Sequence, residues 1–256
     1  MIGSFAEGQQ PFVLMDGKGR KYLIPAGHGK TVIEGLGVID RERLMVSRDG
    51  DVISIAGRQF SVFRATLSET MNAIRRGPQI IGEKDAALIV HFLNLGCRST
   101  VLEIGAGSGS LTIALLHAVG DEGRVVTVER RRDHLDIARS NVQFAGLEEG
   151  WHPVLADATR FNSLPFADAV ALDIPEPWTC LTTVDSSLKR GGMVASYSPT
   201  FNQLERLVSE AGDHMLAHEL SFELIMRRIE VSPGRTRHSF DTLGHTGYIS
   251  VLRKIK

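Results

Sequence analysis

The chain has only two cysteines in 256 residues, Cys97 and Cys180. They match no metal-ligand spacing and give no disulfide framework, so neither a zinc site nor an oxidising compartment is indicated. No apolar run reaches the roughly 18–20 residues that a membrane-spanning helix needs. The opening residues, MIGSFAEGQQPF, lack the basic segment and apolar stretch of an export signal. A cytoplasmic setting is the expectation. Charge of one sign is also missing: the net charge is −1, so the whole-chain sum does not announce a nucleic-acid binder. No repeat or low-complexity stretch is present.

What is there is an ordinary globular composition, 43% hydrophobic and 23% charged. The charge is clustered locally: Lys18, Arg20 and Lys21; Arg75 and Arg76; Arg130 to Arg132; Arg227 and Arg228; Arg235, Arg237 and His238. Each cluster suits either a solvated face or a phosphate contact.

Two textures divide the chain. Residues 1–62 carry short strand-like runs at Pro11–Met15, Lys21–Ile24, Arg43–Val46 and Val52–Ile55. Asp16-Gly17 and Asp49-Gly50 separate them as hairpin-type turns, and Gly57 closes the series. A small all-β unit is predicted, with residues 63–256 forming the second domain. From residue 83 helix and strand alternate. Lys84–Leu95 reads as a helix stopped by Gly96. Strands are predicted at Thr100–Ile104, Arg124–Glu129, His152–Leu155, Ala169–Leu172 and Met193–Tyr197. Helices are predicted at Ser110–Ala118, Arg132–Phe144, Trp178–Leu188 and Phe201–Ala211. That alternation predicts an α/β fold, a parallel sheet covered on both faces. Glu219–Val231 and Gly247–Arg253 follow as two strands joined by a loop, an antiparallel finish. The order resembles that of the class I methyltransferases, which implies a Rossmann-like, mostly parallel seven-stranded sheet.

The strongest motif is Val101-Leu102-Glu103-Ile104-Gly105-Ala106-Gly107-Ser108-Gly109-Ser110-Leu111-Thr112. An apolar strand enters a glycine turn that opens a helix, which lets backbone approach a ligand at the carboxyl edge of the sheet. A dinucleotide fingerprint wants glycine at the sixth place of G-x-G-x-x-G, where this chain has Ser110. The pattern resembles motif I of the methyltransferases, whose acidic position near the methionine portion is matched by Glu103. Twenty residues past Gly109, Glu129 ends the next strand, where a carboxylate can accept from both ribose hydroxyls. Asp157, in Leu155-Ala156-Asp157-Ala158, falls where that family places an acid near the adenine amino group. The cofactor expected is S-adenosylmethionine. Its binding set is Glu103, Gly105, Gly107, Ser108, Gly109, Ser110 and Leu111 from the motif, with Glu129, Arg130, Asp157, Ala158 and Asp173 from later strand ends.

Further tags run through most of the chain. They are Gly17-Lys18-Gly19-Arg20-Lys21-Tyr22-Leu23, Arg64-Ala65-Thr66-Leu67 and Lys84-Asp85-Ala86-Ala87. Beyond the glycine turn come Leu172-Asp173-Ile174-Pro175-Glu176-Pro177-Trp178, Leu188-Lys189-Arg190-Gly191-Gly192 and Gly244-His245-Thr246-Gly247. In this order the chain resembles the tRNA (adenine-N1) methyltransferases of the T-loop, archaeal-looking members especially. The resemblance implies tRNA as partner, adenine 58 with 57 as a possible second target, and a homotetramer.

The chemistry is expected at Asp173 to Trp178. Adenine N1 carries an in-plane lone pair and needs no deprotonation before attack. Alkylation spreads positive charge over N1, C6 and N6, so a carboxylate accepting from the N6 amino group stabilises it and can take up the proton. Asp173 is assigned that role, in line with the resemblance; the plainer reading is a loop carboxylate capping the next helix. Trp178 either walls the base pocket or packs under the loop. Tyr197 is a candidate pocket residue, and His245 either contacts base or RNA or braces its loop. Bacterial relatives place a tyrosine near the base where this chain has Thr70. Two other readings stay open: a class I methyltransferase acting on a protein or corrin-type substrate, and a non-catalytic RNA-binding subunit.

Overall fold

The computed structural model describes residues 10–75 and 80–256. Arg76, one of the basic residues singled out above, lies outside them.

The first unit is built on a four-stranded antiparallel sheet and a separate hairpin. β1 (Phe12–Asp16), β2 (Lys21–Ile24), β5 (Val52–Ile55) and β6 (Arg58–Arg64) form the sheet in the order β2-β1-β6-β5. β3 (Lys30–Ile33) pairs with β4 (Gly37–Asp40). Phe12, Leu14, Ile24, Phe60 and Val62 alternate inward and bury this unit's core. Asp16 organises the first turn, its Oδ1 accepting from the amides of Lys18 and Arg20 at 2.9 Å each. The positive φ of that turn falls on Gly19 (+79°), two residues beyond the Asp-Gly pair that suggested it. Ala56 and Gly57 both have positive φ, 48° and 77°, the signature of a tight turn matched to strand twist.

One strand expectation fails here. Arg43–Val46 lies in and just after α1 (Arg41–Met45), because Asp40 caps the amide of Glu42 at 3.1 Å and only Leu44 of that helix is buried. β6, whose polar and apolar residues alternate weakly, was not foreseen.

α2 (Leu67–Ala73) and α3 (Glu83–Phe92) lead into the larger unit. Its strands are β7 (Thr100–Ile104), β8 (Arg124–Glu129), β9 (Trp151–Leu155), β10 (Ala167–Leu172), β11 (Leu188–Ser198), β12 (Leu216–Phe222) and β15 (Tyr248–Lys254). They run in the order β12-β15-β11-β10-β7-β8-β9. The five strands from β7 to β11 are mutually parallel, and β15 lies antiparallel between β11 and β12. α4 (Ser110–Val119), α5 (Arg132–Ala145), α6 (Leu181–Ser187) and α7 (Phe201–Ala211) supply the crossovers. Val101, Leu102, Val170, Ala171 and Val194 are inaccessible because helices cover both faces, one apolar cluster on each. This is the class I methyltransferase arrangement.

Most ends shift by one to three residues, and β11 starts five before the expected Met193; two segments differ more deeply. Trp178–Leu188 is not one helix: Pro177 starts a 3₁₀ turn over Pro177–Cys180, and α6 follows. Glu219–Val231 is not one strand either. β12 ends at Phe222, and β13 (Ile229–Glu230) pairs instead with β14 (Arg237–His238). The Ser232–Arg235 turn, with Pro233 and Gly234 at its centre (φ of Gly234 +74°), folds that hairpin back on itself. Among the described residues no helix is long and apolar enough to cross a membrane.

Candidate active site

The carboxyl ends of β7, β8, β9 and β10 surround a cleft of about 450 Å³, in the size range of small-molecule sites. The glycine turn forms its floor. Gly105 (φ +93°) admits no side chain, since a β-carbon there would stand 2.2 Å from the carbonyl oxygen of Asp173. Gly107 (φ +50°) is different. The nearest atom to a β-carbon there is Asp173 Oδ2 at 3.9 Å, so its bare backbone faces the carboxylate across open space. Gly109 (φ +79°) lets α4 start within contact of α5, where a β-carbon would meet Ala138 Cα at 3.0 Å.

Glu129 ties the turn to the second strand. Its Oε2 accepts from the Ala106 amide at 3.0 Å and its Oε1 from the Arg131 amide at 2.8 Å, while the carboxylate still lines the cleft. Asp157 caps the 3₁₀ turn at Ala158–Arg160, accepting from the amide and hydroxyl of Thr159 at 3.0 and 2.8 Å. Those bonds hold its carboxyl below the usual range. Asp173 follows β10, its amide bonded to the Ile104 carbonyl at 2.9 Å. The cleft walls desolvate its carboxyl and the Glu129 charge adds repulsion, which together push its pKa up to about 7.

Gly105, Gly107, Ser108, Glu129, Arg130, Asp157, Ala158 and Asp173 therefore line one cleft. Other residues of the anticipated set do not. Glu103 is wholly buried behind the turn, its Oε2 accepting from Thr112 and Thr127 hydroxyls at 2.7 Å each. Burial raises its pKa to about 8. Ser110 donates to the Ile81 carbonyl at 2.8 Å, and Leu111 is core. Gly109 serves helix packing, as above. Sequence spacing placed these residues on the motif but could not say which way each faced.

The anticipated substrate residues form a separate neighbourhood. Trp178 lies outside the cleft lining, packs on the core and carries the Arg206 guanidinium over its ring at 4.3 Å. Tyr197 is half-buried and hydrogen-bonded to Thr246, and desolvation pushes its pKa to about 12. Its ring also explains Gly247, where a β-carbon would fall 2.3 Å from Tyr197 Cζ. His245 sits between Glu223 Oε1 (2.5 Å) and the Pro199 carbonyl (3.0 Å). Two acceptors facing its two ring nitrogens raise its pKa and favour imidazolium. Thr70 is buried in α2, bonded to the Thr66 carbonyl at 3.0 Å, away from the cleft.

Sequence reading missed several contributors. His134 and Ile137 line the cleft from the first turns of α5, and Ile174 and Cys180 from the loop after β10. A signal existed for Ile137, which is off the buried stripe of Leu135, Ala138 and Val142 and so has another use for its side chain. Lys84 was tagged but given no role. Its ammonium reaches Asp85, the Leu224 carbonyl and Thr246 at 2.7, 2.8 and 2.7 Å, joining α3 to the segments just after β12 and just before β15.

This geometry has named relatives. Residues 69–247 match the family described as the tRNA methyltransferase complex GCD14 subunit. The chain belongs to this family. Within it, the tRNA (adenine(58)-N(1))-methyltransferase TrmI of Thermus thermophilus is 33% identical over 96% of this chain and 97% of its own. The tRNA (adenine(57)-N(1)/adenine(58)-N(1))-methyltransferase TrmI of Methanocaldococcus jannaschii is 27% identical over 94% of each. The crystal structure of the tRNA (m1A58) methyltransferase TrmI of Aquifex aeolicus superposes with a TM-score of 0.74 at 28% identity, covering 99% of both chains. A Thermotoga maritima O-methyltransferase superposes at 0.79 with 24% identity, which speaks to fold alone.

Proposed function

We propose that this GCD14-family chain transfers a methyl group from S-adenosylmethionine to N1 of adenine in the tRNA T-loop, at position 58 or at 57 and 58. The single observation that carries the chemistry is the Asp173 carboxylate, facing the side-chain-free backbone of Gly107.

The cleft fits the donor. A floor with no β-carbon at Gly107 leaves room for a methionine chain against Asp173, and Glu129 offers carboxylate lone pairs to a ribose. Ile137, Ile174 and Ala158 give the apolar walls an adenine ring needs, with Asp157 at its polar edge. Arg130 completes the rim, and Ser108 continues the floor. Bound there, S-adenosylmethionine supplies an electrophilic methyl group on a positively charged sulfur.

The protein's own work is positioning and charge. N1 lies on the Watson–Crick edge, so the target adenine enters unpaired. Asp173, ionised, accepts a hydrogen bond from the N6 amino group and stabilises the cationic amidine as N1 is alkylated. Its raised pKa suits it to take that proton afterwards, and Pro175 and Pro177 hold the loop carrying it. Tyr197 and His245 are read as the substrate side, with Tyr197 held by Thr246 and His245 by Glu223 and Pro199. Trp178 acts through the loop it packs beneath.

Residues 1–62 and 63–256 form two domains in this reading, the first offering Lys18 and Arg20 to the tRNA backbone; Lys21, the third cation expected there, is paired with Glu69 at 2.5 Å. The assembly is taken as a homotetramer, as the family resemblance implies, in the cytoplasm. Light scattering tests the assembly. The activity is tested by nucleoside mass analysis of unmodified tRNA before and after treatment, with the modified position mapped. N1-methyladenosine at 58, or at 57 and 58, is the result expected. Methylation of a protein or corrin instead, with no modified adenosine, overturns the reading.

A further inference from the structure

Beside the cleft stands an aromatic group that cofactor binding does not use. Phe201 opens α7 and is 66% exposed. Its ring stacks on Tyr248 with centroids 4.3 Å apart and planes at 20°. The His245 ring lies on the same Tyr248 at 4.8 Å. Each member is held from outside the group. Thr200 and Gln203 form a capping box that fixes the first turn of α7. Tyr248 pairs with Ser198 in the sheet, and His245 is clamped between Glu223 and the Pro199 carbonyl.

Position gives the group meaning. Gln203 Nε2 also donates to the Pro175 carbonyl at 2.8 Å, tying the turn that presents Phe201 to the loop that carries Asp173. β10 and β11 are parallel neighbours, so their carboxyl ends, with Asp173 and Pro199, share one edge of the sheet. A single exposed phenylalanine is ordinary on a protein surface. A fixed aromatic group on the rim of the proposed RNA-modifying site is a π surface that a base can stack on.

We propose that Phe201, Tyr248 and His245 form a ledge that stacks one unpaired nucleobase adjoining the target adenine. This rests on the tRNA reading above. Swinging one adenine out of the T-loop strips a neighbouring base of its stacking partner. An aromatic face replaces that partner without reading sequence, since every base has a π-face.

The test uses the full-length enzyme with Phe201→Ala, Phe201→Leu and Phe201→Trp. Affinity is measured for a T-loop stem-loop RNA without donor, so binding is scored whether or not methylation occurs. Phe201→Ala should weaken binding roughly 5- to 100-fold, the range for one stacked base. Phe201→Trp should restore it and Phe201→Leu should not, while S-adenosylmethionine affinity is the same in all four proteins. Stem-loops with a single abasic site at each position flanking the target then locate the contact, since one of them should erase the difference between wild type and Phe201→Ala. Wild-type binding by Phe201→Leu overturns the ledge, as does an unchanged difference on every abasic RNA. Dissociation of the assembly by Phe201→Ala overturns it too, giving the surface to a second copy of the chain. If the wild type binds the RNA through this ledge yet forms no methyladenosine, the activity fails and the ledge stands.

Discussion

The carbonyl oxygen of Asp173 occupies the space where a β-carbon on Gly105 would have to be, 2.2 Å away. The first loop of the sheet and the loop carrying the proposed acceptor are thus packed backbone against backbone. Replacing Gly105 by alanine should displace Asp173 and strain a φ of +93°, costing more than about 2 kcal/mol and most of the donor affinity. Gly107→Ala meets nothing closer than 3.9 Å, so its cost to folding is only the backbone penalty, on the order of 1 kcal/mol, although its methyl group would enter the space proposed for the donor. Thermal melts on the two variants check the order of stability. Equal losses of stability would remove the packing argument.

Asp173→Ala should lower the rate of tRNA methylation by about 100- to 1000-fold, the usual loss of one preorganised charge-stabilising group. Donor binding should change far less, because Gly107, Glu129 and Asp157 remain in place. Single-turnover methylation and donor titration separate the two. A variant that methylates normally shows that the carboxylate has another use.

The same group sets a pH dependence. With its pKa near 7 in the donor-free cleft, Asp173 is protonated on the acid side and cannot accept from N6. Activity should therefore rise with pH through about 7 and level off above it. A bound sulfonium favours the carboxylate, so the kcat midpoint should fall below that for kcat/KM. In Asp173→Asn this limb should vanish. Profiles from pH 5.5 to 9 provide the check, and a wild-type profile without the limb counts against Asp173 as acceptor.

Much of this was legible beforehand, for identifiable reasons. Thr100–Ile104 and Arg124–Glu129 match the expectation to the residue because largely buried parallel strands read as short runs rich in Val, Leu and Ile bounded by turns. Glycine spacing and strand-end acids located the cleft, since side chains at carboxyl ends of parallel strands converge. Facing was the part that period and spacing could not give. Glu103 and Glu129 each end or nearly end a strand, yet one points into the core and the other into the cleft. Short polar segments failed for another reason: Arg43–Val46 became helix through a cap at Asp40 and one buried leucine, effects too small for a four-residue pattern to register.

Trp178 tests facing directly. Its indole is covered by Arg206 at 4.3 Å and packs on the core outside the cleft. Trp178→Phe should keep kcat/KM for tRNA within about threefold while lowering the melting temperature by a few degrees, as a reduced aromatic packing contact does. A loss of 100-fold with unchanged melting would put the ring against the base.

Glu103 carries the last prediction, which concerns stability rather than rate. Its carboxyl is sealed between Thr112 and Thr127, and Oε1 has no partner among the described residues. Desolvation, with Asp173 and Glu129 nearby, raises its pKa from 4.5 to about 8. Between those values the folded chain holds a proton that the unfolded chain has released. Unfolding then releases protons, so stability falls as pH rises, by at most about 1.4 kcal/mol per pH unit. The loss is complete once pH passes the folded-state value. Glu103→Gln keeps an oxygen for both threonines and cannot ionise, but it places an amide where Oε1 lacks an acceptor. The variant should therefore be no more stable than wild type at pH 5 and should gain steadily on it up to about pH 8, then hold a constant lead. Paired urea melts across that interval measure the gap, and parallel curves would mean that Glu103 ionises in the folded protein as easily as in water.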